Sequence, residues 1–256
     1  MIYYRVAFGF GGRSDFNHVV RRAAAADADD ERSDEGAMTV EAQPVSELPD
    51  PRSLGFTVVA EDDLPTELTD LVDQVRTLID TVAHTEADGA DLAAARDLVA
   101  EAVKRIDGER RPIGALVHRS DFEGPVGFGT LTNVVEGPTN PAAPPMRLEL
   151  TEEGLRAEVT LSGVYQGPPG LVHGGWIAAM LDQALGSASA AAGMPGLTAN
   201  LDVNYRNPTP LNVPLEITAR VTGTERRKVF VSAEIRHNGE VTAEGTAVMV
   251  QVALPG

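Results

Sequence analysis

Apolar and polar positions recur with two different periods along this chain. Between residues 62 and 107, leucine, valine and isoleucine return every three or four positions, which is typical of amphipathic helices. Asp88-Gly89 interrupts this pattern, and Asp91 is a suitable N-cap for a second helix. We therefore predict a helical hairpin over 62–108. Two roles stay open for it: packing on the main domain, or service as a dimer arm or partner surface.

From about residue 111 the period changes to two, as expected for strands with one buried face. Asn238-Gly239 is a tight-hairpin signal between two of these segments. The pattern predicts an α+β domain over 111–256, with one helix against an antiparallel sheet. The predicted strands are 147–150, 155–161, 197–206, 213–222, 228–237 and 240–252, and the predicted helix runs from Gly175 to about Ala192.

The predicted long helix carries an apolar stripe, and its other sides hold mainly alanine, glycine and serine. A helix so poor in long polar side chains is expected to be enclosed by a curved sheet. Asp182 interrupts it, and a carboxylate in such a place is costly unless it has a partner or a task. A hydrogen-bonded structural acid and a functional acid are both consistent with this position.

The composition excludes several classes of function. The net charge of -17 disfavours nucleic acid as a partner, so an anionic ligand would need a local basic patch. Cysteine is absent, which excludes disulfides and thiolate nucleophiles and fits a reducing compartment. No apolar run approaches the about 20 residues of a membrane span. The five histidines lack metal-ligand spacing. We expect a cytoplasmic protein without a metal or cofactor.

Residues 1–60 combine low hydrophobicity with many charges. Such a stretch can bury too little apolar surface to compensate for the conformational entropy that is lost when a chain becomes ordered. We predict that this stretch is disordered or is a mis-called N-terminal extension. Met38 follows its most acidic part, and we hypothesise that Met38 is the true start and 1–37 the extension.

Two glycines, Gly174 and Gly175, open the predicted helix directly after His173. Glycine lets a ligand approach the backbone, and the first N–H groups of a helix have no partner within it. With the helix dipole, such donors can hold a developing oxyanion. The glycine pair alone is also consistent with a simple tight turn.

The combined pattern resembles the PaaI-like hotdog-fold acyl-CoA thioesterases, a family that includes the carboxyl-terminal-modulator-type thioesterases. The resemblance covers roughly residues 135–252. It rests on His173-Gly174-Gly175 with Asp182 nine residues after the histidine, on the strand Thr198-Ala-Asn-Leu-Asp-Val-Asn-Tyr-Arg-Asn-Pro-Thr-Pro210, on Asn140-Pro-Ala-Ala-Pro-Pro-Met146, and on Ala243-Glu-Gly-Thr-Ala-Val-Met249.

This resemblance implies a hotdog fold and hydrolysis of acyl-CoA thioesters, a reaction of lipid metabolism. It implies that Asp182 is the general base or nucleophile and that the Gly174 N–H forms the oxyanion hole. His173 would position the carbonyl or the hole, and Thr198 would orient the water or the aspartate. Direct attack by water and an anhydride at Asp182 both remain open.

Helix geometry adds a constraint, because Gly174 and Asp182 are eight residues apart. At about 1.5 Å and 100° per residue, they are separated by roughly 12 Å along the axis and about 80° around it. They cannot both touch one carbonyl carbon. A two-fold dimer with antiparallel helices brings Gly174 of one chain to Asp182 of the other. We predict a homodimer or a dimer of dimers (a homotetramer) with composite sites.

The CoA phosphates need positive charge, and charge-assisted hydrogen bonds could supply it. Further substrate contacts are predicted beside the glycine pair and along the strand that follows the helix, although a solvated turn or core packing would also explain several of these residues. The predicted substrate-binding residues are Gly175, Trp176, Asn200, Tyr205, Arg206, Arg226, Arg227 and Lys228.

A second function stays open, in which the chain is a non-catalytic acyl-CoA-binding hotdog module that acts as a sensor or scaffold. Asp182 favours the enzyme, because a binding module gains nothing from a buried acid beside a thioester. A hotdog dehydratase is disfavoured, because the chain has no Asp-plus-His hydratase motif.

Overall fold

Strands and helices follow the two periods of the sequence. The structure is a computed structural model that describes residues 50–122 and 127–251. In chain order, its elements are β1 (Val58–Ala60), α1 (Thr66–His84), α2 (Gly89–Ile106), β2 (Leu116–His118), β3 (Phe128–Thr130), β4 (Glu149–Thr151), β5 (Gly154–Thr160), α3 (Gly174–Ala191), β6 (Gly196–Tyr205), β7 (Pro214–Glu225), β8 (Lys228–His237) and β9 (Glu240–Gln251).

The larger sheet has six strands in the order β4-β5-β7-β8-β9-β6, and all neighbours are antiparallel. Each strand lies within a few residues of its predicted position, and the alternation of apolar and polar residues gives β5, β7, β8 and β9 a buried face. β4 and β6 are the two edges. β4 has three residues, whereas β6 has ten, so β6 offers a long unpaired edge within one chain.

Helix α3 lies in the concave side of this sheet and contacts β5, β6, β7, β8 and β9. Met180, Leu181, Ala184 and Leu185 are fully buried in the main core. Gly245 on β9 packs against this helix, and a Cβ there would lie in van der Waals contact with Leu181 and Leu185 at 3.5 Å. A helix enclosed by a curved antiparallel sheet confirms the predicted α+β class and hotdog architecture.

A second sheet, which the sequence pattern did not predict, contains β1, β2 and β3. β1 pairs with β2 in parallel, although the two helices separate them in sequence. A parallel pair needs a long crossover connection, and here α1 and α2 provide it. The predicted hairpin is thus inserted between two paired strands. A small core of Leu64, Ala115, Val117 and Leu131 lies beneath them.

The two crossover helices differ in their contacts. α1 buries Val72 and packs on the 3-10 turn Gly163–Tyr165 of the main domain. Every residue of α2 is exposed. The predicted cap at Asp91 is wrong, because Asp88 is the N-cap and its carboxylate accepts the N–H groups of Ala90 and Asp91. The apolar residues that α2 exposes are Leu92, Leu98, Val99, Val103 and Ile106.

Ordered structure begins before residue 60, because a 3-10 turn covers Pro51–Leu54 and β1 follows it. The predicted disordered or mis-called stretch therefore ends earlier than proposed. Residues 1–49, with Met38, lie outside the described residues, so that prediction is untested there. Among the helices in the described ranges, none is long and apolar enough to cross a membrane.

Candidate active site

His173 is the N-cap of α3 and arranges the donors at its start. Its Nδ1 accepts the N–H of Gly175 at 2.9 Å, so the remaining ring nitrogen, Nε2, carries the proton in the neutral imidazole. The N–H groups of Trp176 and Ile177 bond to the His173 carbonyl, at 2.9 and 3.2 Å. Within 50–122 and 127–251, no acceptor takes the N–H of Gly174. The helix start therefore presents one free backbone donor.

The turn before the helix fixes the backbone of His173 through a hydrogen bond. The backbone N–H of His173 donates to the carbonyl of Tyr165 at 2.9 Å. The Tyr165 ring is buried and meets Trp176 edge-on, with centroids 5.1 Å apart. Trp176, predicted to contact substrate, is partly buried and packs against the main core. Tyr165 was not predicted, since no spacing in the sequence connects it to His173.

Asp182 lies in the middle of α3 and is half-buried. Thr198 Oγ1 donates to Asp182 Oδ1 at 2.9 Å. Burial raises the pKa of the Asp182 carboxyl, and the hydrogen bond from Thr198 opposes part of that rise. A carboxylate with a raised pKa and one free oxygen is a better proton acceptor than an ordinary surface aspartate.

A β-bulge turns Thr198 towards Asp182. The pairing of β6 with β9 shifts between Thr198 and Asn200, so Ala199 is an extra residue in the strand. Further along β6, Leu201 and Val203 face the core. In a strand without the bulge, strict alternation would put Thr198 on the opposite face. The sequence predicted the strand but had no signal for the bulge.

The same alternation puts Asn200 on the outer face of β6, where it is exposed. Asn200 is therefore not brought to Asp182 within one chain. Tyr205, at the other end of β6, donates its hydroxyl to the Gly174 carbonyl at 3.0 Å. The structure thus connects two residues that the sequence placed in one site, Tyr205 and Gly174.

The basic residues predicted for CoA lie at two opposite ends of the sheet. Arg226 and Arg227 form the turn between β7 and β8. Lys228 pairs with Val250 of β9, and Val250 pairs in turn with Leu197 of β6. Because Leu197 precedes Thr198, the partner of Asp182, this turn lies at the Asp182 end of the sheet. Arg206 follows Tyr205 at the Gly174 end, and its guanidinium bonds to Glu244 with Nε–Oε1 at 3.0 Å.

The sequence analysis missed a partly buried polar network that includes Gln183, the residue after Asp182. Gln183 Oε1 accepts from Asn133 Nδ2 at 3.1 Å, and Gln183 Nε2 donates to Glu136 at 3.2 Å. Glu136 also accepts from Arg119 at 3.1 Å and from the Leu148 N–H at 3.0 Å. Burial raises the pKa of Glu136 against these bonds. The available signal was Gln183 itself, a second long polar residue in an apolar helix.

Comparison with known proteins places this site in context. The thioesterase superfamily matches residues 169–244, which include the helix start, Asp182 and β6. A crystal structure described as a thioesterase superfamily protein superposes with a TM-score of 0.64 and 33% identity. It covers 76% of this chain and 100% of its own.

Two curated relatives are acyl-coenzyme A thioesterases of the THEM4 type. The one from Xenopus laevis is 39% identical over 89 residues, which is 34% of this chain and 40% of the relative. The one from Bos taurus is 40% identical over 89 residues, 34% and 36% of the two chains. The alignments thus span at most two fifths of these relatives. Together with the full coverage of the crystal structure, the matches show that this chain belongs to the thioesterase superfamily.

Proposed function

We propose that the protein hydrolyses acyl-CoA thioesters to a free carboxylic acid and CoA. The observation that carries this proposal is the pair of groups on α3: a half-buried carboxylate with a raised pKa, and a helix start with one free N–H. The acyl-coenzyme A thioesterase names of the curated relatives support the same substrate class.

In the proposed reaction, Asp182 removes a proton from water, and the water oxygen attacks the thioester carbonyl carbon. The carbonyl oxygen gains negative charge and receives a hydrogen bond from the Gly174 N–H. The tetrahedral intermediate then collapses and expels the CoA thiolate, which takes up the proton. An alternative in which Asp182 itself attacks, forms an anhydride and is released by water fits the same groups.

We propose that each site is shared between two chains. Gly174 and Asp182 belong to one continuous helix, which separates them by roughly 12 Å along the axis. The face of α3 that the sheet leaves partly exposed carries small residues beside Asp182, so a second helix can approach closely. These residues are Ala178, Gly186 and Ala190.

The open edge of β6 supports the same dimer. Ten residues of backbone lie at this edge, and long free edges tend to pair with another strand. In a two-fold dimer with antiparallel α3 helices, Arg226–Lys228 of one chain approaches Arg206 of the other. The two groups of positive charge, which are far apart in one chain, would then serve one CoA. A tetramer formed by two such dimers is compatible with this arrangement.

A panel of short, long and aromatic acyl-CoAs, with free thiol measured on release, tests the proposed reaction. We expect the wild type to hydrolyse at least one class and Asp182→Ala to lose most of the rate. Asp182→Ala that keeps most of the rate would overturn the catalytic assignment. A wild type that binds acyl-CoA without releasing thiol would support the sensor or scaffold function instead.

We also propose that the substrate is the cytoplasmic acyl-CoA of lipid metabolism. A cysteine-free chain is suited to a reducing compartment, because it neither needs nor loses disulfides. Immunoblotting of fractionated cells tests this location, with recovery in the soluble cytoplasmic fraction expected and recovery with membranes or secreted material opposing it.

A further inference from the structure

Tyr205 contacts the catalytic helix at its first residue. It is the last residue of β6, and its Oη lies 3.0 Å from the Gly174 carbonyl oxygen. A Cβ on Gly174 would lie 3.4 Å from that hydroxyl and 3.5 Å from the ring. Tyr205 nevertheless remains 56% exposed. Because most of the side chain is exposed within one chain, core packing of that chain explains little of its position.

The hydrogen bond from Tyr205 completes a clamp on one peptide unit. The Gly174 carbonyl and the Gly175 N–H belong to the same planar peptide. His173 Nδ1 accepts that N–H at 2.9 Å, and Tyr205 donates to that carbonyl. Two adjacent glycines have more backbone freedom than any other pair, so these two side-chain bonds add to the restraint that the helix itself places on this peptide.

The clamped peptide adjoins the one that carries the free donor. The Gly174 N–H belongs to the preceding peptide, and only the two dihedral angles of Gly174 separate the two planes. The His173 carbonyl of that preceding peptide accepts the N–H groups of Trp176 and Ile177, and a fixed Gly174–Gly175 peptide adds a second limit on the direction in which the Gly174 N–H points. Orientation matters because an oxyanion donor acts only when it is aimed in advance at the position of the developing charge.

We propose that Tyr205 is a positioning residue for the oxyanion hole, which it orients through the Gly174 carbonyl. This inference rests on the proposed thioesterase function. β6 then contacts both the general base and the oxyanion hole. Near one end of the strand, Thr198 bonds to Asp182, and at the other end Tyr205 bonds to Gly174. A contact between Tyr205 and CoA, the alternative role, would instead act on substrate affinity.

The test compares Tyr205→Phe, which removes only the hydroxyl, with Tyr205→Leu, which also removes the ring. Thr151→Val is the matched control, because Thr151 Oγ1 donates to the Gly154 carbonyl at 3.1 Å on β4, the sheet edge opposite β6. We expect Tyr205→Phe to lower kcat about tenfold, a fraction of the about 100- to 1000-fold loss when an oxyanion donor is removed. KM should change less than about twofold, and the control should keep wild-type kcat.

Hydrogen exchange of the Gly175 amide gives a second readout that does not depend on activity. We expect it to speed up in Tyr205→Phe and to stay unchanged in Thr151→Val. An unchanged kcat in Tyr205→Phe, or a raised KM with unchanged kcat, would overturn the positioning role. A wild type that is inactive on the acyl-CoA panel would overturn the proposed function instead, whereas unchanged Gly175 exchange would overturn the clamp itself.

Discussion

Asp182 is an acidic residue in an apolar environment, and this environment is the basis of its proposed catalytic role. Its helix neighbours Leu181 and Ala184 are fully buried, and the burial that raises the pKa of Asp182 also penalises its ionised form. The sequence predicted this residue because an acid in an apolar helix stands out. The sequence did not reveal Gln183 and Glu136, because their importance comes from a contact between segments 47 residues apart.

Asp182→Asn should lower kcat without lowering the stability of the fold at pH 8. We expect kcat to fall at least about 100-fold, since a general base contributes about 100- to 10,000-fold. The raised pKa means that the folded state binds the Asp182 proton more tightly than the unfolded state. Protonated Asp182 therefore stabilises the folded state below the unfolded-state pKa. This stabilisation is lost as the pH rises through the folded-state pKa.

Asparagine carries no charge, so the variant should unfold at the same or a higher temperature than wild type at pH 8. This difference should shrink as the pH falls towards the unfolded-state pKa. Thermal unfolding at several pH values measures it. A variant that unfolds at a clearly lower temperature at pH 8 would indicate that Asp182 is mainly a structural acid.

Thr198 affects the pKa of the same Asp182 carboxyl, so replacement of Thr198 should shift that pKa in a defined direction. The hydrogen bond from Thr198 lowers the pKa of Asp182 against the effect of burial. Thr198→Val should therefore raise that pKa further and move the acidic limb of the kcat/KM profile to higher pH. Thr198→Ser keeps the hydroxyl and should keep the limb in place. A limb that moves to lower pH in Thr198→Val would contradict the assignment of Asp182 as the base.

At the scale of elements, β6 depends on a feature that hydrophobic patterning does not encode. Alternation predicted the strand at 197–206, and the structure has it at Gly196–Tyr205. The bulge at Ala199 depends on pairing with β9, which is a tertiary property. The parallel pairing of β1 with β2 was missed for a similar reason, because strands of three residues carry almost no period and their partner lies beyond two helices.

Deletion of Ala199 tests the role of the bulge. A regular pairing should turn Thr198 to the outer face of β6, so we expect kcat/KM to fall about as far as in Thr198→Val. In a Thr198→Val background, the deletion should add less than about a twofold loss, since the contact is already absent. Circular dichroism verifies folding. If the losses in kcat/KM were fully additive in the double variant, the bulge would act through something other than the Thr198–Asp182 contact.

At the scale of the whole molecule, we propose that one chain leaves the catalytic arrangement incomplete. The ten-residue β6 edge, the small residues on the open face of α3, and the separation of Gly174 from Asp182 all indicate a second copy. Simple helix arithmetic predicted this incompleteness from the sequence. The acyl-chain preference could not be predicted, because in the proposed dimer it depends on a pocket between two chains.

A hybrid dimer of Asp182→Asn and Gly174→Pro chains tests the shared site most directly. Proline suits this first helical position, since its missing N–H is the free donor and His173 already has the extended backbone that precedes proline. Each hybrid then contains one intact site and one doubly defective site. Purified heterodimers with two different affinity tags, assayed for thiol release, should show about half the wild-type rate per dimer, whereas each parent homodimer is nearly inactive. Heterodimers as inactive as their parents would contradict the shared site.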